Sequence, residues 1–366
     1  MKNKYIKILL SIGLIFTLIG CGQKEDLKSI GENKDSFEVV DILERKIVLD
    51  KPVERVVAIG SALRLYTYIN KTELLVGVEK TQQDQKTGRP YVLANPQLSD
   101  LALVGEGHPA PVDPELIILA NPDVIIAGDI FDLNQIADLE KKTGIPVIVV
   151  ATDAANIFSE TVYKSLSIIG EVVNKEDRAQ EVIDYMEASK AEIENLVLNI
   201  PEDKKPTIYL GGLSYNGNHG IESTSGDSVT LNILKAKNVA QGVGESHAVI
   251  IDKEKLLEWD PEMIVIDESG LSLVLEDFSK NPAYYKSLSA VKNNQVYAQL
   301  PNVNYYVNYE SALADIYYLG TLMYPEEFGH IDPKVKADEI YEFLLRAKLY
   351  ERVSEMFGGF IEVDLN

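Results

Sequence analysis

The chain has 366 residues, 46% of them hydrophobic, and a formal net charge of −22. That apolar content excludes global disorder, and the length exceeds one ordinary core, so two domains are expected. A surface this acidic repels phosphate backbones, which argues against nucleic acid as a partner.

The N-terminus opens with basic "MKNKYIK" and continues as apolar "ILLSIGLIFTLIG". The apolar run is too short and too poorly flanked for a stable membrane span, so residues 1–20 read as a signal peptide. It ends at Leu18-Ile19-Gly20-Cys21, and Cys21 is the only cysteine. A leader closed by Leu-x-Gly-Cys resembles a bacterial lipobox, which implies that Cys21 is lipidated and becomes the mature N-terminus. An ordinary signal peptide with an incidental cysteine is the alternative. One cysteine permits no internal disulfide and no cysteine-based zinc or iron–sulfur site. Residues 21–37, with "GQKEDLKSIGENKDS", are polar and aperiodic, the composition of a flexible tether. The expected location is therefore the extracytoplasmic face of the cell membrane, on a lipid anchor.

Residues 38–152 alternate short apolar runs with helical patterns. "RVVAIG" (55–60), "LLVGV" (74–78), "DVIIAG" (123–128) and "PVIVVA" (146–151) read as strands. Helices are expected over 61–70, 113–120 and about 132–143. The order predicts a mostly parallel sheet covered on both faces. Residues 153–200 carry two helical patterns. In the second, Ala179, Val182, Ile183, Met186, Ile193, Leu196 and Val197 keep helical spacing, with Asn174 as cap and Pro201 as stop. At 1.5 Å per residue such a helix runs roughly 35 Å, a rigid connector. Alternation restarts in 201–346, with strands at "TIYLGG" (207–212), "EMIVID" (262–267) and "QVYAQL" (295–300). Helices fall between them and at about 309–323 and 333–346, leaving 347–366 as a tail. The predicted fold is α/β, with two similar parallel-sheet lobes joined by one long α-helix.

One unit occurs twice. "VDPELIILANPDVIIA" (112–127) has a cousin in "IDKEKLLEWDPEMIVID" (251–267). Asp113, Glu115, Ile117, Asn121, Pro122, Asp123 and Ile125 align with Asp252, Glu254, Leu256, Asp260, Pro261, Glu262 and Ile264. Each copy places a glutamate at a helix start, where a positive helix end also favours it.

Ligands of open parallel sheets sit beyond the carboxyl ends of strands. The segments that reach this edge bring Arg64, Lys80, Arg89, Tyr91 and His108 in the first lobe, and Tyr215, Asn216 and His219 in the second. "PNVNYYVNYE" adds Asn304, Tyr305, Tyr306 and Asn308. Tyrosine and asparagine contact ligands through rigid rings and amide hydrogen bonds. Arg64 neighbours apolar Leu63 and Leu65 on its helical pattern, so it is either a buried-edge cation or one that points into the cleft. Arg64, Lys80 and Arg89 together would suit an anionic ligand, and His108, His219 or a tyrosine would suit direct metal ligation. His247 and His330 read as structural. No phosphate-binding glycine loop, nucleophile elbow or H-E-x-x-H pattern is present, so no enzyme activity and no cofactor are expected.

Residues of about 38–346 resemble the substrate-binding proteins of ATP-driven importers for iron–siderophore complexes and vitamin B12. The matching motifs are "PVERVVAIG", "LLVGVE", "VDPELIILANPDVIIAG", "QVYAQLPN" and "ESALADIYYLGTLMYPEEF". The resemblance implies a monomeric binding protein of an ABC transporter, with two lobes on one long helix. It also implies that Glu115 and Glu254 dock on arginines of the membrane permease. The ligand implied is a metal chelate, ferric siderophore first. Corrinoid, haem, a nickel chelate and an oxyanion such as molybdate are alternatives within the class. An extracytoplasmic enzyme on a bilobal scaffold and a non-transporting adhesion or sensing lipoprotein are the rivals from other classes.

Overall fold

The computed structural model describes residues 36–366, apart from 50–51, 71, 87, 108–109, 131, 215–216, 245–247 and 305. The segment expected as a signal peptide, Cys21, most of the expected tether, and His108, Tyr215, Asn216, His247 and Tyr305 therefore lie outside the described residues.

The first lobe is built on five parallel strands in the spatial order Ala102–Leu103, Leu75–Val78, Val56–Ile59, Val124–Gly128, Val147–Val150. Side chains alternate across a pleated strand, and the alternation sorts each run between two cores. Val56, Ala58, Val124, Ile126, Ile148 and Val150 enter the large central core. Their neighbours Val57, Ile59, Ile125, Ala127, Val147 and Val149 pack outward under the helices Pro114–Ala120 and Leu133–Thr143. Both faces are buried, which explains the continuous β-branched runs.

The second lobe repeats this logic with a mixed sheet. Met263–Asp267 lies between parallel neighbours Thr207–Gly211 and Val296–Gln299, and short antiparallel strands extend the edges. One edge strand is Ile361–Glu362, reached through the helix Tyr350–Phe357, with Leu365 buried beyond it. Residues 347–366 are thus part of the lobe and not a tail. Their buried apolar positions, Leu349, Tyr350, Val353, Phe360, Val363 and Leu365, fall in and around one short helix and a short strand, too brief for a sustained period in the sequence.

The lobes are joined by two helices, Glu160–Val172 and Glu176–Leu196. The second, 21 residues long, spans about 32 Å. Asn174 does not cap it. Asn174 takes a left-handed conformation (φ 54°) that turns the chain between the two helices, and Lys175 is the N-cap. A further helix, Tyr309–Met323, is buried on nearly every face. It lies in the same core as the inner faces of both sheets and the bridging helices. Arginines lock the seam: Arg178 donates to Tyr68 O (3.1 Å) and Phe343 O (2.5 Å), Arg346 to Ile69 O (3.2 Å) and Arg352 to Leu93 O (2.9 Å). No helix among the described residues is long and apolar enough to cross a membrane.

Candidate ligand cleft

The parallel strands of both lobes end at a cleft. In the first lobe, Gly60 follows Val56–Ile59 with φ 63°, and a Cβ there would stand 2.8 Å from Gly128 O. The close approach lets two strand ends turn together. Asp129 then accepts hydrogen bonds from the Ser61 hydroxyl, from Thr152 N (3.0 Å) and from Thr152 Oγ1 (2.7 Å). Glu79 accepts one from Gly60 N (2.9 Å). This wall of the cleft is acidic and hydroxyl-rich.

The second lobe supplies a short antiparallel hairpin that pairs Val303–Asn304 with Tyr306–Val307. Among the described residues, three cavities touch it. One of 330 Å³ is lined by Thr81, Lys86, Arg89, Ser214, Asn218, Val303, Asn304 and Phe357, among others. A second of 250 Å³ lies against Thr152, Ser214, Ser228, Thr230, Val303 and Tyr306. A third, of 570 Å³, is floored by Gly60, Glu79 and Asp129 and reached by Tyr306. Burial, then the nearby Asp129 carboxylate, raises the pKa of the Tyr306 hydroxyl, so it stays protonated and able to donate.

The expected site residues separate into distinct environments. Asn304, Tyr306 and Arg89 line the cavities. Arg89 is itself buried and donates to Gln82 Oε1 (3.2 Å) and Thr81 O (2.7 Å). Tyr91 is fully buried behind it, its hydroxyl on the same Gln82 oxygen at 2.7 Å. Lys80 is at the surface, paired with Glu106 at 2.9 Å. Arg64 is buried and directed at the hairpin backbone, with Tyr306 O at 2.8 Å and Val307 O at 2.6 Å. Asn308 is buried with it. The three cations expected to converge on an anionic ligand therefore do not converge. His219 is half-buried and lines none of these cavities, whereas its neighbour Asn218 does. Thr152 and Phe357 were not among the expected site residues. Thr152 follows a strand end and was open to the same inference; Phe357 comes from the C-terminal segment and carried no signal.

The duplicated unit is duplicated in three dimensions. Glu115 and Glu254 are each the second residue of a seven-residue helix, and both are exposed. Asn121 and Asp260 close the helices in left-handed conformations, φ 49° and 39°. Asp123 then accepts from Glu54 N (2.9 Å) and Arg55 N (3.0 Å), just before its lobe's central strand. Glu262 does the same for Thr207 N (2.7 Å) and Thr207 Oγ1 (3.1 Å).

Two α/β lobes on a stiff helical connection, with a cleft at the strand ends, define a bilobal solute-binding protein. The chain belongs to the periplasmic binding protein family, whose sequence model matches residues 66–302. It is 24% identical over 298 residues to the uncharacterized ABC transporter substrate-binding lipoprotein YvrC of Bacillus subtilis, covering 78% of this chain and 86% of that protein. The TroA-like periplasmic binding protein FepB of Veillonella parvula shares the fold with a TM-score of 0.66 at 23% identity, over 85% of this chain and 97% of that one. The molybdate-bound periplasmic binding protein MolA of Haemophilus influenzae does so with a TM-score of 0.67 at 19% identity, over 85% and 98%.

Proposed function

We propose that this chain is an extracytoplasmic substrate-binding protein of an ABC importer that captures a metal chelate, ferric siderophore first, in the cleft between its lobes. The size and lining of the cleft carry this reading. Cavities of 330 and 570 Å³ that meet one hairpin suit a ligand of many atoms, and their walls offer hydroxyls, amides, carboxylates and the ring of Tyr306. A bare oxyanion needs a small cage of converging donors, and Arg64 and Lys80 are engaged elsewhere. MolA, with molybdate bound on the same fold, keeps the oxyanion as the competing outcome. Family membership and the likeness to YvrC support the importer assignment. Lipidation of Cys21 would hold the protein at the membrane as a monomer, and Glu115 and Glu254 would dock one lobe each on the permease. Rim charges of this kind set encounter and register.

Native mass spectrometry of protein purified from its own host, with an absorption spectrum, tests the ligand. A co-purified chelate with a ligand-to-metal charge-transfer band supports the reading. A bound mass matching a small oxyanion would replace it. The docking assignment is tested separately by the double variant Glu115→Lys/Glu254→Lys, which should abolish uptake while leaving ligand affinity unchanged.

A further inference from the structure

We infer that Arg64 is a positioning residue: from the first lobe it sets the place of the ligand-facing hairpin of the second, and it does not receive the ligand's charge. The inference rests on the hairpin's place among the three cavities. Val303 lines two of them, Tyr306 two and Asn304 one, so a shift of this element alters every chamber at once.

The hairpin cannot hold itself. It has two residue pairs, Val303 with Val307 and Asn304 with Tyr306, far below what makes a strand pair stable alone. Its base is closed within its own lobe, where Asn308 N donates to Asn302 O and Asn302 Nδ2 to Asp315 Oδ2, both at 2.8 Å; its strands are tied from the first lobe. Arg64 Nη1 donates to Tyr306 O at 2.8 Å, Val307 O at 2.6 Å and Asn308 Oδ1 at 3.1 Å, and Nη2 approaches Asn304 O at 3.5 Å. Asn308 completes the tie, its Nδ2 donating to Gly88 O of the first lobe at 2.7 Å. Tyr91 and Tyr306 present their rings to the guanidinium at 5.2 and 5.4 Å, within cation–π range.

Arg64 is 2% exposed, so the group has almost no face open to a ligand. Its acceptors are neutral carbonyl oxygens, and hydrogen bonds to a charged donor are about twice as strong as neutral ones. An anion taking the guanidinium would have to strip it from the hairpin and undo the walls of its own site. Arginine suits the task because its planar fork reaches several carbonyls in fixed geometry, which a lysine does only in part.

Hydrogen–deuterium exchange on the ligand-free full chain tests this without reference to any cargo. Arg64→Met should speed amide exchange across 301–309 by at least about tenfold while strands 124–128 and 263–267 keep their protection. Arg64→Lys should restore part of that protection. If Arg64→Met does not fold, Asn308→Ala, which removes one acceptor and the Gly88 contact, decides by the same local signature. Unchanged exchange at 301–309 in the folded variants, or equal loss across both lobes, would overturn the inference.

A binding titration with a ferric trihydroxamate separates this from the functional proposal. If the wild-type protein binds it, Arg64→Lys should retain most of the affinity and Arg64→Met should lose at least about tenfold. Equal losses in the two variants would make Arg64 a ligand contact and overturn positioning. If the wild-type protein ignores this chelate, the siderophore reading is weakened, and the exchange data still decide on Arg64.

Discussion

At the scale of single residues, one buried acceptor can serve two donors. Gln82 Oε1 alone takes the Tyr91 hydroxyl at 2.7 Å and Arg89 Nη1 at 3.2 Å. Replacing Gln82 by leucine preserves much of the volume and leaves the Tyr91 hydroxyl buried without its acceptor. Stranding a buried polar group costs about 1–3 kcal/mol. Calorimetry of Gln82→Leu should show a melting temperature lower by roughly 1–4 °C, at about 1.3 °C per kcal/mol for a chain of 366 residues. A shift below about 0.5 °C would mean that the hydroxyl has found water or another acceptor. This scale was the least legible in the sequence. The residue type of Arg64 advertised a positive charge near a strand end, and that much was right. Its partners, Tyr306, Val307 and Asn308, lie more than 240 residues downstream, and no local pattern announces such a pairing. Lys80 likewise meets Glu106 only through the fold.

At the scale of elements, the duplicated unit was visible because it repeats, but the repeat contains two acids with opposite tasks. The glutamate at the helix start faces outward in each copy. The acid after the proline, Asp123 or Glu262, instead turns sideways along the surface and ties the unit to the start of the neighbouring parallel strand. Sequence spacing aligned both acids without separating their roles, because direction depends on which strand lies alongside. Asp123→Ala removes the acceptor of two backbone N–H groups, and Glu262→Ala that of one N–H and one hydroxyl. Each should lower unfolding free energy by about 0.5–1.5 kcal/mol in urea titrations at unchanged m-value. Glu115→Ala and Glu254→Ala, exposed and without such a tie, should stay within about 0.5 kcal/mol of the parent. The opposite ranking would reverse the assignment of the two acids. The C-terminal segment went unread for a related reason: a strand as short as Ile361–Glu362 gains its identity from pairing with Tyr297 and Ala298.

At the scale of the whole molecule, the two lobes and the long helix followed from periodicity, since each element is long enough to show its own repeat. The acids hidden behind the cleft did not, because a buried carboxyl reads in sequence like any surface one. Glu268 is 5% exposed. Its carboxyl oxygens have no hydrogen-bond partner within the geometric limits of such a bond. Burial first, and then the neighbouring Asp267, push its pKa up to about 9. Burial pushes Asp267 up to about 6, and Asp315 and Glu310 are raised as well. In the unfolded chain these groups return to ordinary carboxyl values near 4, so between about pH 4 and pH 9 the folded state binds the extra protons. Their contribution to stability is therefore complete below about pH 4 and is lost as pH rises through the folded values. The net charge of −22 works in the same direction, since deprotonation adds to self-repulsion. Carboxylates held below their usual range, Asp260 through Ser289 among them, oppose this only at the acid end. The melting temperature should accordingly peak below neutrality and fall steadily from about pH 6 to pH 9. Glu268→Gln keeps the shape and removes the proton, so its melting curve should be flatter over that range and lie above the parent near pH 9. A parallel displacement of the two curves, with no change of slope, would show that Glu268 is already ionised in the fold and that the other acids carry the pH dependence.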